Sequence, residues 1–361
     1  MMTDRQAYVA FNLTEKVGSV TVGALAGKAG SVAEAWERYP KKVSRAGGEI
    51  DWEGEFSKAE SFGVEIVTPA DDGYPEQLRS APGHPLALYV KGSVEALSAP
   101  MIAIIGTRRA TAYGLDVANR LSYDLCRAGW GVVSGLAVGI DGEAHRGALA
   151  AEGVTVGVIG SGIDRFYPAE NRDLAREIAK RRGAVVSEFP LGRPPDQETF
   201  PIRNHVVAAL ARGVVAVEAP AKSGTLITTG IAADLGRTVM AVPARIDSRM
   251  SAGCLKLIRD GAVLVRGVDD VLEAMSELLP GRMDRSSGGG GPARDPEQPS
   301  FSAEEALVML HVDEDGVSVD DLARETKLPV GRVNAVAMGL RIKGIVRFLP
   351  GNRISLLTAK R

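Results

Sequence analysis

The chain has 361 residues, 45% of them hydrophobic and 24% charged, with 43 Lys and Arg against 45 Asp and Glu for a net charge of −2. That length makes two or three domains, and the charge balance excludes a uniformly basic nucleic-acid coat while leaving room for a local anion site. Only two cysteines, Cys126 and Cys254, are present, which excludes a disulfide scaffold or a cysteine-built zinc site; no apolar run reaches the ~18 residues of a membrane span and no signal peptide opens the chain, so a cytoplasmic protein is expected.

Residues 1–65 read as a small helical module, with two helical runs around Gly-containing turns in LTEKVGSVTVGALAGKAGSVAEAW, similar to a degenerate helix-hairpin-helix or SAM-like unit. Residues 1–99 hold 14 acids and 10 bases. That acidity argues against strong duplex binding there and favours protein contact or packing on the core.

From Met101 onward short β-rich runs alternate with helical patterns: MIAIIG (101–106), WGVVSG (130–135), TVGVIG (155–160), AVVSEF (184–189), VVAVEA (214–219), TVMAVP (238–243) and AVLV (262–265). Continuous Val/Ile runs suit strands covered on both faces, and alternating βα units predict an extended Rossmann-like, doubly wound sheet over 66–279. Ligands of such sheets bind at the C-terminal strand ends where the strand order reverses. Those ends carry Gly106-Thr107-Arg108-Arg109, Ser134-Gly135 with Gly139 following, Gly160-Ser161-Gly162, Arg203-Asn204, and Lys222-Ser223-Gly224-Thr225-Leu226. Glycine admits close backbone amides, helix N-termini add a positive pole and Arg adds forked donors, which together make an oxyanion cradle. There is no GxxxxGK[ST] and no GxGxxG after the first strand, so neither nucleoside triphosphate hydrolysis nor a dinucleotide is expected. No cofactor and no metal is expected either. Asp141 and His145 stand four apart at a helix start, where an acid–base pair competes with simple capping or hydrogen bonding and capping is favoured. Tyr167 and Phe200 are candidates for stacking on bases, with burial the even alternative. Cys126 reads as core.

Residues 280–300 contain SSGGGGPARDPEQP, a linker composition. Residues 301–361 read as a winged helix: a helix over 302–311, a second opened by a capping box at Ser318, a third over 330–344, then a hairpin around Pro350-Gly351-Asn352. All eight acids of this segment fall in 301–325, and eight bases and no acid in 326–361. Arg332, Arg341, Lys343, Arg347 and Arg353 sit on the third helix and wing, the usual DNA-contacting elements, and offer a second set of contacts; a merely solvated face is the even alternative.

The strings IAIIGTRRATAYG, SGLAVGIDGEAHRGAL, GSGIDRFYPAENRDL, SEFPLG, FPIRNHVVAAL, EAPAKSGTLITTGIAADLGR and AVPARIDSRMSAGCLKLIRDGA, in this order, resemble the DNA-processing protein A (DprA/Smf) family, as does DDGYPEQLRSAPGHPLALYVKG at 71–92. The resemblance implies a Rossmann-like protein that dimerises through its core, binds and protects single-stranded DNA during natural transformation and helps load the RecA recombinase. It places the DNA site at Gly106, Thr107 and Arg108, at Arg203 and Asn204, and at Ser223 to Leu226. The chain departs from the family pattern at His205, Ala244 and Ala169, where Arg, Gly and a basic residue are frequent; Arg109, Arg165, Lys222 or Arg245 are the compensating candidates. Two other functions compete. A nucleotide-cleaving, phosphoribohydrolase-like enzyme would use Glu218 or Glu188 as nucleophile or general base. A regulator would bind double-stranded DNA through the C-terminal domain.

Overall fold

A computed structural model describes residues 2–14, 16–39, 50–276, 303–313, 316–342, 346–349 and 353–356; the predicted linker, Lys343 and the wing turn at 350–352 lie outside them, as do the side chains of Arg341 and Arg347. The chain divides into two compact units, Met1–Met283 and Asp284–Arg361.

Four helices lead: α1 (Asp4–Asn12), α2 (Ser19–Ala29), α3 (Val32–Arg38) and α4 (Trp52–Ser61). Thr3 opens α1 with a reciprocal capping box to Gln6, which satisfies two amides that a helix start leaves bare. Phe11 and Trp36 meet edge to face with centroids 4.9 Å apart, closing α1 on α3.

The sheet elements follow as β1 (Glu65–Val67), α5 (Glu76–Arg79), β2 (Leu88–Gly92), β3 (Met101–Ile105), α6 (Ala112–Arg127), β4 (Gly131–Ser134), α7 (Ile140–Ala150), β5 (Thr155–Val158), α8 (Arg172–Lys180), β6 (Ala184–Ser187), α9 (Thr199–Leu210), β7 (Gly213–Ala216), α10 (Gly224–Asp234), β8 (Thr238–Ala241), α11 (Ala252–Arg259), β9 (Val263–Leu264) and α12 (Val268–Ser276). They form one sheet in the order β1-β2-β6-β5-β4-β3-β7-β8-β9. Every pair from β6 to β9 is parallel, whereas β2 runs antiparallel to both β1 and β6. The parallel strands are the seven expected; the antiparallel pair β1–β2 is an addition to that expectation. Burial on both faces explains the unbroken Val/Ile runs. Along β3, Met101, Ala103 and Ile105 pack with Val206–Leu210 of α9, while Ile102 and Ile104 pack with α6 and α7 residues such as Leu121 and Ala144.

The C-terminal unit holds α13 (Ala303–Met309), β10 (Val317–Ser318), α14 (Val319–Thr326), α15 (Val330–Ile342), β11 (Val346–Leu349) and β12 (Arg353–Leu356). Its three strands pair antiparallel in the order β10-β12-β11. Ser318 caps α14 by accepting from the Asp321 amide at 3.1 Å. Val308, Leu322, Val333, Leu340 and Ile354 form its core. This is the winged-helix arrangement.

Two packing features of the first unit are open to direct test. A Cβ on Gly147 of α7 would collide with the backbone carbonyl of Asn119 on α6, so Gly147→Ala must push the two helices apart. We expect it to cost about 1–3 kcal/mol, read as a lower urea midpoint. On the same helix His145 is fully buried, its Nδ1 2.7 Å from the Thr155 hydroxyl. That hydroxyl donates to the Val132 carbonyl, so it accepts from the imidazole, which carries a proton on Nδ1. Burial holds its pKa down at about 3, against ~6.5 for an exposed histidine. The unfolded chain therefore takes up a proton below ~6.5 that the folded chain refuses. This contribution is fully present above the unfolded pKa and is lost progressively as the pH falls toward the folded one. Between pH 7 and pH 5 it removes about 2 kcal/mol, and urea unfolding of His145→Asn should show a pH dependence weaker by that amount.

Candidate nucleic-acid interface

The sheet order reverses between β3 and β7, so the chain leaves these neighbouring strands in opposite directions and their C-terminal ends open into a cleft. The cleft measures about 480 Å³. Gly106, Thr107, Arg108 and Arg109 line one wall, Lys222, Ser223, Gly224 and Thr225 another, and Gly135, Arg203 and Asn204 the floor and rim.

Hydrogen bonds hold the turn after β3. The Thr107 amide donates to the Glu218 carbonyl at 2.8 Å, and the Thr107 carbonyl accepts from the Ile140 amide at 3.3 Å. The Thr107 hydroxyl accepts from the Arg109 amide at 3.2 Å. Gly106 packs so closely on Ile140 that a Cβ would lie 2.5 Å from its side chain. Arg108 then projects outward with its guanidinium 5.0 Å over the Phe200 ring. Among the described residues, Arg109 and Lys222 have no carboxylate partner, and Arg108 makes no direct ion pair, though its charge acts on the Asp141 carboxyl. Arg165 and Arg245, by contrast, are spent on Asp164 at 3.7 Å and Asp247 at 2.7 Å, and neither lines the cleft. Of the four compensating candidates, the cleft therefore collects Arg109 and Lys222. His205 faces away, toward Pro82 and His84, with its pKa lowered by burial.

The opposite wall is the start of α10. Ser223 has extended backbone (φ −152°, ψ 156°) and stands at the N-cap without a side-chain cap, and no acid occupies the first turn. The first amides of a helix have no carbonyl within it to bond, and they carry its positive pole. The Ser223 hydroxyl is buried without a partner among the described residues. This end can receive an anionic oxygen.

Beneath the cleft Arg203 is 5% exposed; its guanidinium donates to the Val158 carbonyl at 2.8 Å, and its Nε has no partner among the described residues. A Cβ on Gly135 would collide with both the Arg203 guanidinium and the Asp141 carboxylate, so the bare backbone keeps these charges adjacent. Burial raises the Asp141 carboxyl above its ordinary range, opposed by Arg203, by a hydrogen bond from the Ala137 amide and by the neighbouring Ser134 hydroxyl. Asp141 thus serves the loop after β4. It does not pair with His145, whose Nδ1 is committed to Thr155.

Three of the expected site residues stand behind the surface. Ser134 is buried and donates to the Ile104 carbonyl at 2.6 Å. Gly139 opens α7 with φ +85° and lies so near Thr107 that a Cβ would meet its carbonyl at 2.5 Å. Leu226 packs inward beside Ala219, Ala241 and Cys254. In the C-terminal unit, Arg332 is bound to Glu304 at 2.8 Å and Arg353 donates to the Gly316 carbonyl at 2.6 Å. The side chains of Arg341, Lys343 and Arg347 lie outside the described residues. Gln197, Ile227 and Thr228 also line the cleft and were missed. For the last two a signal existed, since positions three and four beyond Gly224 share its helix face.

The carboxylates offered for catalysis are placed elsewhere. Glu218 is 2% exposed, and its two oxygens accept from the Thr111 amide at 2.9 Å and the Thr111 hydroxyl at 2.6 Å. Neither Glu218 nor Glu188 lines the cleft, whereas Asp141 does.

Comparison with known proteins identifies the family. A family model described as DNA recombination-mediator protein A matches residues 65–276, and one described as the DprA winged helix domain matches 292–352. The chain is 31% identical to Protein Smf of Synechocystis over 397 residues, spanning 98% of this chain and 99% of that one. It is 40% identical to DNA processing protein DprA of Bacillus subtilis over 216 residues, 60% of this chain and 72% of the other. The X-ray structure of DNA processing protein A from Streptococcus pneumoniae superposes with a TM-score of 0.60 at 35% identity, covering 75% of this chain and 93% of that one. The Helicobacter pylori protein, solved for its single-stranded DNA binding mode, gives 0.54 at 28% identity, covering 60% and 98%. With the family model spanning more than half of its length and a relative aligned from end to end, the chain belongs to the DNA recombination-mediator protein A family.

Proposed function

We propose that this protein holds single-stranded DNA in the switch-point cleft without cleaving it, and passes the strand to the RecA recombinase during natural transformation. The observation that carries this reading is the convergence of Arg108, Arg109 and Lys222, none of them in a direct ion pair among the described residues, with the amides of α10 on one cleft. Phosphates fit donors of this kind, and Phe200 and the 47% exposed Tyr167 supply apolar faces beside them. Residues 66–279 act as the binding core, 1–65 as an accessory helical module and 301–361 as the winged tail. Family membership supports the RecA partner and a cytoplasmic setting. A second copy docks through the Rossmann-like core; β9 ends the sheet with Val263 and Leu264 38% and 41% exposed, which supports that face.

The enzymatic reading draws no support from Glu218, whose carboxylate is hydrogen-bonded to Thr111. The duplex reading draws none from Arg332 and Arg353, which bond within their own unit.

Titration of labelled oligo(dT) should show Arg108→Ala binding about tenfold more weakly at physiological salt. The slope of log affinity against log salt should fall by ~0.7, because one phosphate fewer is neutralised. Unchanged affinity and slope would move the site off this cleft. Incubation with nucleoside monophosphates should release no free base by chromatography, and release would reinstate the enzymatic alternative. A chain ending at Met283 should keep its single-strand affinity; a large drop would transfer the binding to the tail.

A further inference from the structure

No described residue of the four leading helices lines the cleft, yet two of their buried polar side chains grip the segment that leads into it. Asn12, at the end of α1, donates from its side-chain amide to the Glu188 carbonyl at 3.3 Å. Glu55 on α4 is 4% exposed, and its carboxylate accepts from the Leu191 amide at 2.8 Å. The Tyr89 hydroxyl of β2 bonds the same carboxylate. Burial raises the Glu55 carboxyl above its ordinary range, opposed chiefly by the Leu191 amide. Apolar side chains dock a helix at less cost than a buried carboxylate does, so the bond to Leu191 points to a role beyond docking.

Glu188 and Leu191 lie between β6 and α9. Farther along this segment, the Gly192 amide donates to the Asp164 carboxylate at 2.8 Å, and the Arg193 carbonyl accepts from the Gly162 amide at 2.9 Å. The Asp196 carboxylate then accepts from the Glu198 and Thr199 amides at 2.8 Å each. Thr199 opens α9, and Phe200 beside it lies under the Arg108 guanidinium at 5.0 Å. Arg203, one turn on, has its own bond to the Val158 carbonyl, so the part of α9 that depends on the incoming segment is the end that carries Phe200. We propose that Glu55 is a positioning residue for strand binding: by holding Leu191 it fixes the approach to α9, keeps Phe200 in place and so holds Arg108 ready for a phosphate. The helical module thereby belongs to the binding device without touching the strand. The inference rests on the single-strand reading above and adds to it a residue outside the cleft.

The test uses the full chain, labelled oligo(dT) at physiological salt, and two conservative variants measured below their urea transitions. Glu55→Asp keeps the charge and withdraws the carboxylate from Leu191 by one methylene. Glu55→Gln keeps the reach and an acceptor oxygen and drops the charge. Glu55→Asp should bind about fivefold more weakly, because the ordering of one long side chain then falls on the binding step. Glu55→Gln should stay within about twofold of the native protein, since its amide oxygen still accepts from Leu191. In the Arg108→Ala background, adding Glu55→Asp should weaken binding no further, an outcome that a general loosening of the fold does not produce. Native-like binding by Glu55→Asp overturns the inference, as does an equal loss in Glu55→Gln or an undiminished further loss in the Arg108→Ala background. Arg108→Ala alone separates the two readings: if it weakens binding while Glu55→Asp does not, the cleft stands without this support, and if neither weakens binding the cleft itself falls.

Discussion

The two walls of the cleft belong to strands whose crossovers diverge, and one residue ties them together. Glu218, just beyond β7, accepts the Thr107 amide on its carbonyl and both donors of Thr111 on its carboxylate. Thr111 in turn caps α6, accepting from the Gly114 amide at 3.1 Å. The turn that carries Arg108 is therefore strung between the end of β7 and the start of α6. Hydrogen bonds to a charged group contribute roughly 1.5–3 kcal/mol each, and a buried carboxylate deprived of them would leave its own desolvation uncompensated. A phosphate site made of backbone amides needs this rigidity, since amides that must be reorganised on binding lose much of their advantage.

The charge balance takes its meaning from the same arrangement. Surface cations such as Arg146, Arg176 and Arg266 are matched by carboxylates three or four residues away in the chain, and such pairs present little net field to a polyanion. At the cleft the pattern differs, because Arg109 and Lys222 have no carboxylate partner among the described residues, Arg108 lies over Phe200 without a direct ion pair, and the first turn of α10 carries no acid. A chain of net charge −2 can in this way offer a local positive surface without being basic as a whole.

The parallel sheet was legible because each of its strands is a short Val/Ile run bounded by turn residues, and each run is buried on both faces. The βα alternation and the chemistry at the strand ends pointed to a ligand site at the C-terminal edge, whereas the place where the order reverses, between β3 and β7, is known only from the strand order itself. The strands β1 and β2 were not legible: β1 has three residues, and β2 owes its place to pairing with β6 nearly a hundred positions later in the chain. Non-local pairing of that kind leaves no periodic trace. The same limit applies at the site. Gly106, Arg108 and Gly224 announced themselves by residue type, whereas Ser134, Gly139 and Leu226 were chosen on the same grounds and lie behind the surface as its supports. Glu218, a candidate acid only for the competing enzymatic reading, is bonded by Thr111, 107 positions away in the chain.

The positions of the carboxylates bear on whether the proposed strand is held or cut. Cleavage of a glycosidic or phosphate bond needs a nucleophile or a proton carrier within hydrogen-bond reach of the reacting atoms. Here Glu218 is consumed by Thr111, and Asp141, at the cleft floor, is hydrogen-bonded by the Ala137 amide with Arg203 adjacent. Apart from Asp141, the charged and backbone groups the cleft presents are donors, namely amides, guanidinium groups and an ammonium, which suit an oxyanion. Contacts of that sort are individually modest and weaken as salt competes for the phosphates. On the proposed reading, a strand held by such contacts would stay chemically intact and could be surrendered to a partner that binds it more tightly.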